Sequence, residues 1–263
     1  MTVPTESDGV ATVRPRRPRI SIVGVLGELL ITAGVLVLLF LGWQLWLNDI
    51  IVGQEANHQA VEQTKEWDRA APTPADETPD EETPGDPPVA TAPAASQRFG
   101  LVIIPRFGAD YYRPIAEGVG TRAVLNKGGQ FGHYPSTQMP GAVGNFAIAA
   151  HRTTYGASLG QIAELRVGDH IFIETQDGWY QYDFRNLEYV RPTGVGVLDP
   201  VPQIAGASPE DRLLTMTSCN PKLSAAERII AYAVFNRFYP RDATKPASGA
   251  PDEIAATVAG EAS

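Results

Sequence analysis

Hydrophobic and polar positions divide this chain into stretches with different periods. The first nineteen residues are polar and include Arg14, Arg16, Arg17 and Arg19. An apolar run follows from Ile20 to Leu47, interrupted by Glu28 and Gln44. That length matches the span needed to cross a hydrocarbon core of about 30 Å. It is too long for a cleaved signal peptide, and no small-x-small cleavage site follows it. Trp43 and Trp46 fall where an interfacial aromatic belt would lie. Arginines before the span and none directly after it predict a cytoplasmic N-terminus, with everything beyond Asn48 outside. The expected location is therefore the plasma membrane, crossed once, with 1–19 as the inner tail and 20–47 as the anchor helix.

The pattern changes again at Arg98. Short apolar or alternating runs recur: GLVIIP from Gly100, NFAIAAH at 145–151, HIFIET from His170, WYQYDFRNLEYV from Trp179, LLTMTSC at 213–219 and RIIAYAVFNRF at 228–238. Clusters of Gly, Pro and Asp separate them, the signature of an all-β sandwich or barrel. Only SLGQIAEL, at 158–165, has a helical look. Between the apolar run and these strands, residues 51–70 are polar and can continue a helix. Residues 71–97, APTPADETPDEETPGDPPVATAPAASQ, hold no Lys or Arg and almost no large apolar side chain. Such a segment buries too little surface to fold, and its prolines favour an extended spacer. The predicted organisation is a juxtamembrane segment and disordered acidic linker over 48–97, a folded domain over 98–240 and a disordered tail over 241–263.

Composition changes this picture in two ways. The net charge of −9 and the lack of a basic patch exclude a nucleic-acid partner. The chain has one cysteine, so no internal disulfide exists, and a lone thiol outside a cell is exposed to oxidation. Cys219 ends a strand-like run and precedes Asn220-Pro221, which a central strand does not tolerate. A strand end holds a thiol rigidly and leaves it accessible. The alternative is a small packing residue. His151 closes another run ahead of a polar turn, a position from which an imidazole can serve a thiol as acid and base. Arg228 opens the strand after Cys219. If the loop between them is a turn, its guanidinium returns to the level of the thiol, where it can stabilise an oxyanion. His58, His133 and His170 carry weaker signals: a juxtamembrane stretch, a Gly- and Pro-rich loop, and an exposed strand start. No His pair has metal-ligand spacing, so neither a metal nor another cofactor is expected.

The segment TMTSCNPKLSAAERIIAYA resembles the active-site region of sortases, where a TLxTC motif precedes an arginine on the next strand. GNFAIAAHRTTYG resembles the sortase segment that carries the essential histidine. GHYPSTQMPGAVGNFAIAAHRTTYG, with the N-terminal span and the acidic linker, is most like class E sortases of actinobacteria. Met216 and Ser218 replace the motif's leucine and second threonine, and both keep the character of the position. The resemblance implies a closed β-barrel of about eight strands with one or two short helices. It implies Cys219 as nucleophile, His151 as acid and base, and Arg228 as oxyanion or substrate clamp, with Thr217 and Tyr134 lining a peptide groove. It further implies cleavage of the Thr–Gly bond in an LAXTG- or LPXTG-like sorting signal of a secreted protein, and transfer to an amine of a lipid-linked peptidoglycan precursor. L,D-transpeptidases place their cysteine in a Ser-x-Gly-Cys-x-Arg run that TSCNPKLSAAER lacks. Cell-wall cysteine peptidases put Cys before His, the reverse of this order. A non-catalytic wall-binding β domain is the remaining alternative.

Overall fold

The computed structural model describes residues 21–43, 47–70 and 86–261. The predicted inner tail over 1–19, Trp46 of the predicted aromatic belt, and linker residues 71–85 lie outside the described residues. The chain divides into two compact units, 1–42 and 43–263. The first contains helix α1, Ile22–Gly42, which is long and apolar enough to cross a membrane.

The second unit is built on eight strands: β1 Arg98–Ile103, β2 Tyr112–Glu117, β3 Phe131–His133, β4 Gly144–Ala149, β5 His170–Thr175, β6 Gly178–Val190, β7 Arg212–Asn220 and β8 Glu227–Pro240. They close into a barrel in the order β1-β2-β3-β4-β7-β8-β6-β5. β2 with β3 and β4 with β7 run parallel; the remaining neighbours are antiparallel. The all-β reading from alternation therefore holds. Two strands escaped it for local reasons. β2 contains Pro114, which counts against a strand. β3 has three residues, one of them Gly132, and so no period to read. His133, expected in a loop, sits at the end of β3 and is buried.

Alternation along the strands sends side chains to two apolar surfaces. Val102, Ile115, Phe131, Phe146, Ile148, Ile173, Leu214, Met216 and Ile229 fill the interior. Leu101, Ile103, Tyr112, Phe172 and Trp179 face outward into a second cluster. An outward apolar face needs a cover, since roughly 25 cal/mol is gained per Å² removed from water. Two helices supply it. α2, Asn48–Ala70, lays Ala56, Ala60 and Thr64 onto this side of the barrel, where Asn57 Oδ1 accepts from Tyr112 N at 3.1 Å. α3, Ala255–Ala259, and the residue before it contribute Val258 and Ile254.

This cover differs from the expected disorder over 241–263. Residues 241–261 form a 3-10 turn at Pro246–Gly249 and then α3, because Ile254 and Val258 find an apolar surface already in place. The last part of the acidic linker also docks. Ala90 N donates to Pro140 O at 3.0 Å, Tyr180 Oη donates to Pro88 O at 2.8 Å, and Arg212 pairs with Asp86 at 2.7 Å. The helix expected at 158–165 shrinks to a 3-10 turn, Ile162–Glu164. Eight residues with an internal Gly160 are too few to sustain a helix without packing along its length.

Beneath α2 lies a buried polar cluster. Glu174 is fully buried and accepts from Tyr112 Oη, from Thr64 Oγ1 at 3.0 Å and from Arg241 Nη2. Arg241 also reaches Asp68 and stacks 4.6 Å above the Trp179 ring. It thereby ties α2, β5 and the segment after β8 together. Burial pushes the Glu174 carboxyl up to about 7, against the opposing pull of the Arg241 guanidinium.

Candidate active site

β4, β7 and β8 are consecutive in the barrel, and their ends build the site. The antiparallel ladder of β7 and β8 sets Cys219 directly opposite Arg228. The parallel ladder of β4 and β7 ends on Ala149 opposite Thr217. Continuing that register brings His151, just past β4, to the level of Cys219. Two bonds keep the continuation in place: Ala150 N donates to Thr217 O at 3.3 Å, and Ser218 Oγ donates to Ala150 O at 2.8 Å. Three residues far apart in sequence thus occupy three adjoining strand ends.

Burial along β7 explains why the cysteine is accessible. Its central residues, Leu214–Ser218, are buried, and at the C-terminal end the strand opens at Cys219 and Asn220 before Pro221. Cys219 is a free, half-buried thiol. His151 is half-buried too. Its Nε2 donates to Asn126 Oδ1 at 2.9 Å, which leaves Nδ1 as the open ring nitrogen. The Tyr155 ring lies 5.1 Å away, tilted 33°. Burial holds the imidazole below its ordinary range, which favours its neutral form. Arg228 Nη1 donates to Ala225 O at 3.0 Å and to Glu227 O at 2.9 Å, which anchors the guanidinium to its own turn.

Thr217 and Tyr134 also come together. Tyr134 Oη lies 3.0 Å from Thr217 Oγ1. Thr217 is buried, one turn of the pleat below Cys219 on the same side of β7. Tyr134 N donates to Ala147 O at 3.0 Å, so the residue is held against β4.

Two residues of the site went unread in the sequence. Asn126 follows a short π turn, Thr121–Leu125, and nothing in its surroundings marks it as a partner of His151. Arg152 adjoins His151 yet points back into the fold. It is buried, and its Nη1 donates to Cys219 O at 3.3 Å and to Asn220 Oδ1, while Nε is without a partner. A fixed positive charge therefore lies beside the backbone of the cysteine. The other histidines stand apart from this site. His133 Nδ1 pairs with Glu117 at 2.8 Å inside the barrel. His170, half-buried rather than exposed, pairs with Glu253 at 2.7 Å. Among the described residues no group of three or more His, Cys, Asp or Glu is arranged to hold a metal ion.

Cys219, Arg228 and, just past β4, His151 thus lie at adjoining strand ends of an eight-strand closed barrel. The sortase domain family matches residues 102–236, and the chain belongs to the sortase family. It is similar to Sortase SrtE1 of Streptomyces coelicolor, with 34 % identity over 241 residues. That match covers 89 % of this chain and 63 % of the relative, so the chain spans somewhat under two thirds of that protein's length. Among solved structures, Sortase E1 from Streptomyces coelicolor with a tripeptide in its active site is 37 % identical at a TM-score of 0.54, covering 63 % of this chain and 99 % of that one. The SrtA sortase from Actinomyces oris is 34 % identical at a TM-score of 0.58, covering 65 % and 94 %.

Proposed function

We propose that this protein is a membrane-anchored transpeptidase that cleaves the Thr–Gly bond of an LAXTG- or LPXTG-like sorting signal on secreted proteins. In this reading Cys219 is the nucleophile, His151 the acid and base, and Arg228 the oxyanion donor. The observation that carries it is the register: Cys219 faces Arg228 across one ladder, and the other ladder of the same strand leads to His151.

The chemistry follows from the groups. The Cys219 thiol passes its proton to His151 as the thiolate attacks the threonine carbonyl carbon. Negative charge gathers on the carbonyl oxygen, where a preorganised cation is most effective. Arg228 Nη1 is engaged with its own turn, so Nη2 and Nε are the donors that serve the oxyanion. The intermediate collapses by breaking the C–N bond, and the imidazolium of His151 gives its proton to the departing glycine amine. A thioester on Cys219 remains. An incoming amine then attacks it, His151 takes the amine proton, and the thiolate leaves. Dividing one amide exchange in this way lowers each barrier. Since the tilt of His151 toward its neutral form opposes the thiolate–imidazolium pair, Arg152 beside Cys219 supports that pair with a fixed charge.

Tyr134 and Thr217 form the floor of the peptide groove in this reading. The acceptor is an amine of a lipid-linked peptidoglycan precursor. Helix α1 crosses the plasma membrane with the N-terminus in the cytoplasm, and the barrel works outside. The test is mass spectrometry of the protein after incubation with LAXTG and LPXTG peptides. An acyl adduct on Cys219, lost on adding hydroxylamine, is expected. Peptide cleavage with no adduct on Cys219 overturns the assignment.

A further inference from the structure

The two loops that touch the His151 ring meet at one point, and the first turns of α2 press on it. Asn126, the hydrogen-bond partner of His151, lies in the loop that ends at Gly129. Tyr155, the ring neighbour of His151, lies in the loop that continues through Gly156. The loops are stapled to each other: Gly129 N donates to Tyr155 O at 2.6 Å, and Ser158 Oγ donates to Gly129 O at 2.7 Å. Helix α2 holds the staple from the outside. Asp49, in its first turn, accepts from Gly156 N at 3.0 Å. The fit is close. A methyl group on Gly156 would meet Val52 Cγ1 at 2.8 Å and the Gly129 backbone at 3.0 Å. A methyl group on Gly129 would meet Ala56 Cβ at 2.9 Å. Both glycines have positive φ, +87° and +70°, where L side chains rarely go.

This contact is separate from the rest of the helix's packing. Ala60 and Thr64, further along, cover the outer apolar cluster and the Glu174 cluster. Asp49 and Val52 are only half-buried and belong to neither. Asp49 bonds to the Gly156 loop, and Val52 Cγ1 lies against Gly128 and Gly156.

We propose that Asp49 is a positioning residue of the active site: with Val52 it fixes the paired loops that orient His151, so the segment following α1 in the chain sets the geometry of the catalytic imidazole. The proposal rests on the role given to His151 above. Small displacements of a catalytic group are costly, on the order of 10²-fold per Å in rate, while a single hydrogen bond from a surface loop matters little to global stability.

The test uses the full chain in detergent micelles, with Asp49→Ala, Asp49→Asn and, as a control further along α2, Glu62→Ala. Two readouts are taken: kcat and KM on a fluorogenic LAXTG or LPXTG peptide, and hydrogen exchange at the Gly129 and Gly156 amides. Asp49→Ala is expected to lower kcat about tenfold, to leave KM within about twofold, and to speed exchange at both amides. Asn retains an acceptor oxygen, so Asp49→Asn and the control are expected to behave like the parent. Parent-like kcat in Asp49→Ala, or an equal loss in Asp49→Asn, overturns the proposal. If the parent cleaves neither peptide, the substrate reading fails, and exchange alone decides: faster exchange in Asp49→Ala supports the positioning role, and unchanged exchange overturns it.

Discussion

Two polar clusters in the same barrel differ in how their groups are satisfied. Around Glu174 the donors converge: Tyr112, Thr64 and Arg241 all direct hydrogen bonds to one buried carboxylate. Around Cys219 the partners diverge. Arg228 turns to its own loop, His151 turns one nitrogen to Asn126, and the thiol at the centre is half open to solvent. A saturated, dry cluster has no capacity left for a substrate and acts as a clamp between elements. A cluster whose members are each held from behind, with one face unspent, can bind and react. Both contain charges far apart in sequence, so charge alone does not separate a site from a strut; the direction of the hydrogen bonds does.

The contrast is open to direct attack. Cys219→Ala is expected to lower peptide cleavage by at least about 10⁴-fold with little change in thermal midpoint, as measured by fluorogenic assay and calorimetry. Retained cleavage would remove the reactive cluster from the comparison. Arg228→Lys keeps the charge but loses the planar fork. A drop in kcat of roughly 10²-fold is expected, the scale of one lost oxyanion donor, again with stability preserved.

The Glu174 cluster is expected to respond in the opposite sense, in stability and not in turnover. Its carboxyl is raised from 4.5 to about 7, so the folded protein keeps a proton that the unfolded chain gives up. The stability tied to this proton is complete below about pH 4.5 and is lost as pH rises through about 7. His151, lowered by burial, acts the other way, losing stability as pH falls below its ordinary 6.5. Comparing the parent with Glu174→Gln removes that shared contribution. The parent's thermal midpoint should fall more steeply than the variant's between pH 5 and 8; parallel curves would show that Glu174 does not titrate with unfolding. The smallest effect is expected at the groove. Tyr134→Phe deletes the 3.0 Å contact with Thr217 and should cost about 1 kcal/mol or less in kcat/KM, read from initial rates at low substrate.

Much of this molecule was legible from the order of residues. The long apolar run, six of the strands and the placing of Cys219, His151 and Arg228 at strand ends all follow from local pattern and from proline at Pro221. Local pattern failed where an element depends on a surface made elsewhere. Helix α3 has five residues and no amphipathic length of its own, yet Ile254 and Val258 close the outer cluster. Residues 86–97 read as spacer, yet Pro88 and Ala90 are tied to the barrel by bonds to Tyr180 and Pro140. The short strands β2 and β3 exist because longer neighbours pair with them.

By itself, the sequence determined six of the strands, the family and the placing of Cys219, His151 and Arg228 at strand ends, because hydrophobic period and turn residues are properties of neighbours in the chain. Tertiary structure alone decided the register that lines up Cys219 with Arg228, the choice of Asn126 and Arg152 as supporting groups, and the docking of Asp49 behind the His151 loops. Those depend on which strands become adjacent when the barrel closes, and closure is set by burying two apolar surfaces at once, a condition that no local window of residues contains.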